Sequence, residues 1–235
     1  MDKTKIIYRI SDTGYSKQKP TYVNNEQCLK NAVSRFSLDT CDWKIIADNT
    51  SPATNEMILK YLPNNCIEYV NLKNGAATFN LGLDIALNYK DSDIVYFVEN
   101  DYLHKENSLA VLKEGLGLGA DFITLYDHPD KYIDGINPYV IDGGEHTKVF
   151  LSNSCHWKLT NSTTMTFAST ILTLKQLEST IRQYTSTTHP HDFEMWIDLR
   201  NKGASLISPI PGYSTHGESA WLAPLINWNN VNNNT

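Results

Sequence analysis

The sequence predicts an α/β fold, a single Rossmann-like, mostly parallel sheet flanked by helices, with a distinct subregion in its second half. Three observations predict it. Short β-branched runs alternate with amphipathic stretches through roughly residues 1–125. The run Ile94–Val98 (IVYFV) is apolar throughout, as a strand covered on both faces must be. From Asp127 to Thr166 the rhythm stops, and Gly, Pro, aromatic and short polar runs replace it.

The elements follow in order. Ile6–Ile10 reads as a first strand. Asn24 or Asn25 caps a helix whose apolar face is Cys28, Leu29, Ala32, Val33 and Phe36. Trp43–Ala47 is a second strand, and Ser51-Pro52 supplies an N-cap with Pro at the first helical position. Ile67–Leu72 is a third strand. Phe79, Leu83 and Leu87 recur every four residues and mark a third helix. After Ile94–Val98, Leu109, Leu112 and Leu116 mark a fourth helix and Phe122–Leu125 another strand. Leu174–Tyr184 and Phe193–Lys202 read as late helices. Residues 1–226 are expected to form one domain with halves of about 1–125 and 126–226, and the polar stretch 227–235 is expected to fray.

A chain of 235 residues with 41% hydrophobic and 20% charged content can bury a substantial core, which excludes disorder and coiled coil. Twenty basic against 26 acidic residues give a net charge of −6, so a nucleic acid is not the expected partner. An anionic ligand would need a metal or helix N-termini to meet its charge. No apolar run approaches the roughly 20 residues of a membrane span, and no transmembrane segment is expected. Cys28, Cys41, Cys66 and Cys155 lack metal or redox spacing. They read as buried thiols of a reducing compartment, so the expected location is cytoplasmic.

Ligands of parallel sheets sit beyond the C-terminal strand ends, so the chemistry is sought there. Glu99-Asn100-Asp101 closes the apolar fourth strand; in extended geometry Glu99 and Asp101 point to one side. Such oxygens suit Mg²⁺ or Mn²⁺. Asp48 ends the second strand. Small residues at Gly75–Ala77 open the third helix, whose amides favour phosphate. His216, in a Gly-flanked loop, is a further metal ligand candidate, and His191-Asp192-Phe193-Glu194 opens a late helix.

In their order these segments resemble the GT-A-fold glycosyltransferases, above all the large family-two type. NLKNGAATFNLGLDIAL is similar to that family's Asn-Gly-Ala-rich helix start, VYFVENDY to its DXD strand and HDFEMWIDL to its acidic helix start. The resemblance spans roughly residues 5 to 218. It implies a nucleoside-diphosphate sugar, of UDP or GDP type, as donor and a glycan or glycoconjugate as acceptor. Ile10, Ser11 and Asp12 would line the base and ribose, and Asp48 would contact the base. Lys73 and Asn80 would lie near ribose or diphosphate, with Glu99 and Asn100 beside the donor. Asp101 and His216 would hold Mn²⁺ or Mg²⁺. Asp192 would be the general base of an inverting transfer. Because His191 stands where the family has an acid, Glu194 is a second candidate for that base. His156 and Trp157 are candidate acceptor contacts, with Tyr126, Tyr132, Tyr139 and Trp221 in the same half.

Three other readings are compatible with the residues. A sugar nucleotidylyltransferase would carry a Gly-rich basic loop after the first strand, where this chain has ISDTGYSKQK, which lacks it. A sugar- or nucleotide-binding module would bind without transfer. A metal hydrolase would be built on His189, His191 and His216.

Overall fold

A computed structural model describes residues 3–13 and 18–233. Among these residues nine strands form one sheet in the order β3-β2-β1-β4-β9-β6-β10-β8-β7. The first four are β1 (Thr4–Ser11), β2 (Cys41–Asp48), β3 (Ile67–Val70) and β4 (Ile94–Glu99), all mutually parallel. A small antiparallel pair joins β5 (Tyr102–His104) to β11 (Ser214–His216) beside the end of β4. The second half adds β6 (Phe122–Ile123), β7 (Val149–Leu151), β8 (His156–Leu159), β9 (Phe167–Thr170) and β10 (Leu206–Ile210). Only β9 and β8 run against the other seven strands.

Among the described residues there are seven α-helices, six of which cover the two faces. On one side, α1 (Asn25–Arg35), α2 (Pro52–Leu59) and α4 (Ser108–Gly117) enclose a core with Tyr8, Ile45, Tyr96 and Val98. On the other, α3 (Gly75–Leu87), α5 (Ile171–Gln183) and α6 (Asp192–Asn201) enclose Ile7, Ile46, Val95 and Phe97. Alternate residues of β1 and β4 thus face opposite cores, which is why IVYFV shows no polar face.

The local signals act as expected where they are strong. Asn24 caps α1 by accepting from the Gln27 amide, and Ser51 caps α2 by accepting from the Thr54 amide. The third strand is two residues shorter than expected: Lys73 takes φ +52 as the chain turns toward α3. Strands β5, β7, β8, β9, β10 and β11 lie outside the sequence prediction. They are three to five residues long, β9 and β10 carry Ser, Thr or Pro, and none alternates cleanly. Residues 227–235 are corrected as well. Trp228–Asn233 forms α7, anchored by buried Trp228, whose indole donates to the Ala223 carbonyl at 2.8 Å. Residues 234 and 235 lie outside the described residues. Of the cysteines, Cys28 and Cys41 are buried, but Cys66 and Cys155 are half-exposed.

Candidate active site

The C-terminal ends of β1, β2 and β4 open into a cleft of about 840 Å³. Its position follows from register: Arg9 of β1 lies opposite Glu99 of β4, and Ser11 lies opposite Asp48 of β2. Ile10, Ser11, Asp12, Asp48, Lys73, Glu99, Asn100 and Asp101 all line it. Eight residues separated by up to 91 positions therefore share one cleft because the strands that carry them are neighbours.

Several of these side chains serve the architecture of the cleft. Asp12 accepts from the Ser51 amide at 2.6 Å and the Thr54 hydroxyl at 2.7 Å, fastening the start of α2 to the end of β1. Those bonds outweigh the opposing effect of burial and hold its carboxyl below the usual range. Asp48 is buried and accepts from the amides of Leu72 at 2.6 Å and Lys73 at 3.1 Å, holding the left-handed turn. Asn100 donates to the Asn25 side chain at 2.6 Å and to the Ser11 carbonyl at 3.2 Å. Two of the amides expected to meet a phosphate at the start of α3 are committed within the protein. Ala77 donates to the Asn74 side chain, and Ala76 donates to the Thr188 carbonyl at 3.5 Å.

Glu99 and Asp101 reach the cleft by a different route from the extended strand expected for them. The strand ends at Glu99, and Asn100-Asp101 form a turn. Glu99 pairs with Arg9 at 3.1 Å and accepts from the Thr166 hydroxyl at 3.1 Å. Arg9 also donates to the Gly75 carbonyl at 3.1 Å, so a buried guanidinium ties β1, β4 and α3 together. An arginine inside the apolar strand KIIYRIS was the sequence signal for it. Asp101 instead meets His216, with Oδ2 3.2 Å from Nε2. The two are held by the β5–β11 pair, in which His216 lies opposite Tyr102. Gly217 donates to the Asp101 carbonyl at 2.7 Å, and a Cβ there would lie 2.3 Å from Val23.

Asp192 opens α6, outside the residues that line the cleft but within reach of the Glu99 charge. Burial first, then the Glu99 charge, pushes its carboxyl up to about 6. Glu194, one half-turn on, is exposed and adds to the same negative field. His189, just before α6, lines the cleft.

Three predicted residues are not brought to this site. Asn80 closes onto Thr185, donating to its carbonyl at 2.8 Å and accepting from its hydroxyl at 2.9 Å. Trp157 is fully buried, packed so closely on α4 that a Cβ on Gly115 would lie 2.6 Å from its ring. Its indole donates to Ser152. His156 is exposed on β8, six strands along from β2 in the sheet. Aromatic composition pointed to these last two; only the sheet order shows that their strand lies away from the cleft. The expectation of a hydrolase built on His189, His191 and His216 is also corrected. His191 is exposed, and no group of three or more His, Cys, Asp or Glu side chains converges on a metal position among the described residues.

The Asp101–His216 pair fits a divalent ion with two protein donors. One hard oxygen and one imidazole nitrogen suit Mn²⁺ or Mg²⁺. Their separation matches the roughly 3 Å between adjacent donors on an ion with bonds of about 2.1 Å. Glu218 lies 4.0 Å from the other ring nitrogen of His216.

No family model and no curated protein matches the sequence. Solved structures do match its fold. The chain is similar to GalNAc-T7 with UDP, GalNAc and Mn²⁺, at 12% identity and a TM-score of 0.57. That match covers 95% of this chain and 45% of the other, so the chain spans less than half the length of that protein. It is also similar to 4-diphosphocytidyl-2C-methyl-D-erythritol synthase from Anaerococcus prevotii, at 12% identity and a TM-score of 0.53, covering 99% and 98% of the two chains. A third likeness is to the CMP:2-keto-3-deoxy-manno-octonic acid synthetase complexed with CTP, at 11% identity, a TM-score of 0.50 and coverage of 93% and 95%. The fold is therefore of the GT-A kind, shared by glycosyltransferases and nucleotidyltransferases. No helix among the described residues is long and apolar enough to cross a membrane.

Proposed function

We propose that this protein is a divalent-cation-dependent glycosyltransferase. It moves a sugar from a nucleoside-diphosphate sugar, of UDP or GDP type, to a hydroxyl of a glycan or glycoconjugate, with inversion. One observation carries the reading: Glu99 and Asp101 line one cleft at the strand ends, where Asp101 meets His216 at 3.2 Å and the Glu99 charge helps to raise the carboxyl of Asp192.

Mn²⁺ or Mg²⁺, held by Asp101 and His216, would supply charge neutralisation for the departing diphosphate. The chain does the rest. Ser11, Asn100 and Asp48 shape the nucleotide end of the cleft, with Lys73 on its rim. Arg9 fixes Glu99 so that its charge faces Asp192. That charge and partial burial raise Asp192 toward neutrality, which places its proton affinity where a general base works well. Asp192 takes the proton from the acceptor hydroxyl as that oxygen attacks the anomeric carbon. The buried, unpaired Cys28 and Cys41 suit a reducing compartment, the cytoplasm.

A panel of UDP- and GDP-sugars, followed by Mn²⁺-dependent thermal shift and slow donor hydrolysis, tests the reading. No shift with any nucleoside diphosphate would overturn it. A nucleotidyltransferase is the second reading. Lys19, in the loop after β1, reaches Asp101 at 3.2 Å and supplies a basic residue at that edge of the cleft. It predicts pyrophosphate release from a nucleoside triphosphate and a sugar phosphate, an assay in which the glycosyltransferase is silent.

A further inference from the structure

The pair Asp101–His216 has a third member. Lys19 Nζ lies 3.2 Å from Asp101 Oδ2, the same oxygen that His216 Nε2 reaches at 3.2 Å. Lys19 lines the cleft, and its side chain is 31% exposed. Of the cleft's other cations, the Arg9 guanidinium is buried and committed to Glu99 and the Gly75 carbonyl, and Lys73 is exposed beyond the end of β3. Lys19 is thus a cation on a flexible four-carbon stem, seated on the oxygen that a divalent ion would use.

An ammonium and a divalent cation repel strongly at such separations. On one carboxylate oxygen each weakens the hold of the other. Resting on the donor-sugar reading above, we propose that Lys19 is a positioning residue that couples metal binding to nucleotide binding. In the substrate-free protein its ammonium neutralises Asp101 and competes with the metal. When a nucleoside diphosphate enters together with the ion, the ammonium passes to the diphosphate oxygens, and Asp101 is released. No bond is made or broken; one charge pair is exchanged for another. By linkage, nucleotide then tightens metal binding and metal tightens nucleotide binding by the same factor.

The test is a titration of MnCl₂ into nucleotide-free protein, following the paramagnetic resonance of the free ion, for the wild type, Lys19→Met and Lys19→Arg. Parallel titrations use UDP and GDP with and without Mn²⁺. Circular dichroism verifies that each variant is folded. Lys19→Met should bind Mn²⁺ alone about tenfold more tightly than the wild type, and Lys19→Arg should stay near it. In Lys19→Met the factor by which the nucleotide tightens Mn²⁺ binding should fall by about tenfold or more, leaving only the direct attraction of the ion for the diphosphate. An unchanged or weaker affinity of Lys19→Met for Mn²⁺ alone overturns the proposal. If neither nucleotide binds any variant, the donor reading falls and the hand-over with it. The manganese-only titration still reports whether Lys19 blocks Asp101, so the two failures are read separately.

Discussion

Asp101 and His216 stand 115 positions apart in sequence and 3.2 Å apart in space, joined by the short β5–β11 pair rather than by the main sheet. If the pair holds a divalent ion, His216→Gln should weaken Mn²⁺ binding in the presence of UDP or GDP by at least the 10–100-fold typical of losing an outer partner. Calorimetry of Mn²⁺ binding to the nucleotide-saturated protein checks it; an unchanged affinity would remove His216 from the site.

The glycine that follows is predicted to be irreplaceable. A Cβ at Gly217 would meet Val23 at 2.3 Å and the Asp101 carbonyl at 2.7 Å. Gly217→Ala should lower stability by about 1–3 kcal/mol and weaken Mn²⁺ binding with it, because the backbone of Asp101 must shift. Thermal melts beside the calorimetry would show both effects, and a wild-type melt would mean that Val23 simply gives way.

Asp192→Asn should lower kcat by about 10²–10⁴-fold and leave donor affinity nearly unchanged. In the wild type, the rate should fall as pH drops below about 6, since the base must be ionised. A Glu194→Gln variant with the same loss would move the base assignment to Glu194.

The same carboxyl has a stability signature of opposite sense. Its folded-state proton affinity is raised, so its contribution to stability is fully present below about pH 4 and is lost as pH rises through about 6. Asp192→Asn should therefore melt a few degrees higher than the wild type at pH 8, and no higher at pH 4. Melts at both pH values give the answer; a variant less stable at pH 8 contradicts the assignment.

A buried ion pair shapes the second half. Lys158 lies 2.9 Å from Asp127, with both side chains almost wholly buried, and Tyr132 donates to both oxygens of Asp127 at 2.8 Å. Lys158→Met should cost about 3–5 kcal/mol by stranding the carboxylate, and Asp127→Asn with Lys158→Met should recover part of it. Denaturant unfolding of the single and double variants decides this.

The sequence was most informative where physics is local. Asn24 and Ser51 as caps, the apolar IVYFV strand and the four-residue recurrence of Phe79 and Leu83 each specify an element from a few neighbours. The strand-end rule then located Asp48, Glu99 and Asp101 at one edge, and the family resemblance added Ile10 and Ser11, without any contact being known. The placements it missed depend on partners far along the chain. Nothing near Asn80 announces Thr185, and nothing near Trp157 announces its packing against α4.

By itself, then, the chain's pattern of apolar periods and caps determined a layered α/β architecture and the edge at which a ligand sits, because those follow from hydrogen bonding and burial within each segment. Tertiary structure alone decided that Lys19 and His216 share one oxygen of Asp101 and that the Glu99 charge acts on Asp192. Charges act through space, and only the closed fold sets the distances at which they meet.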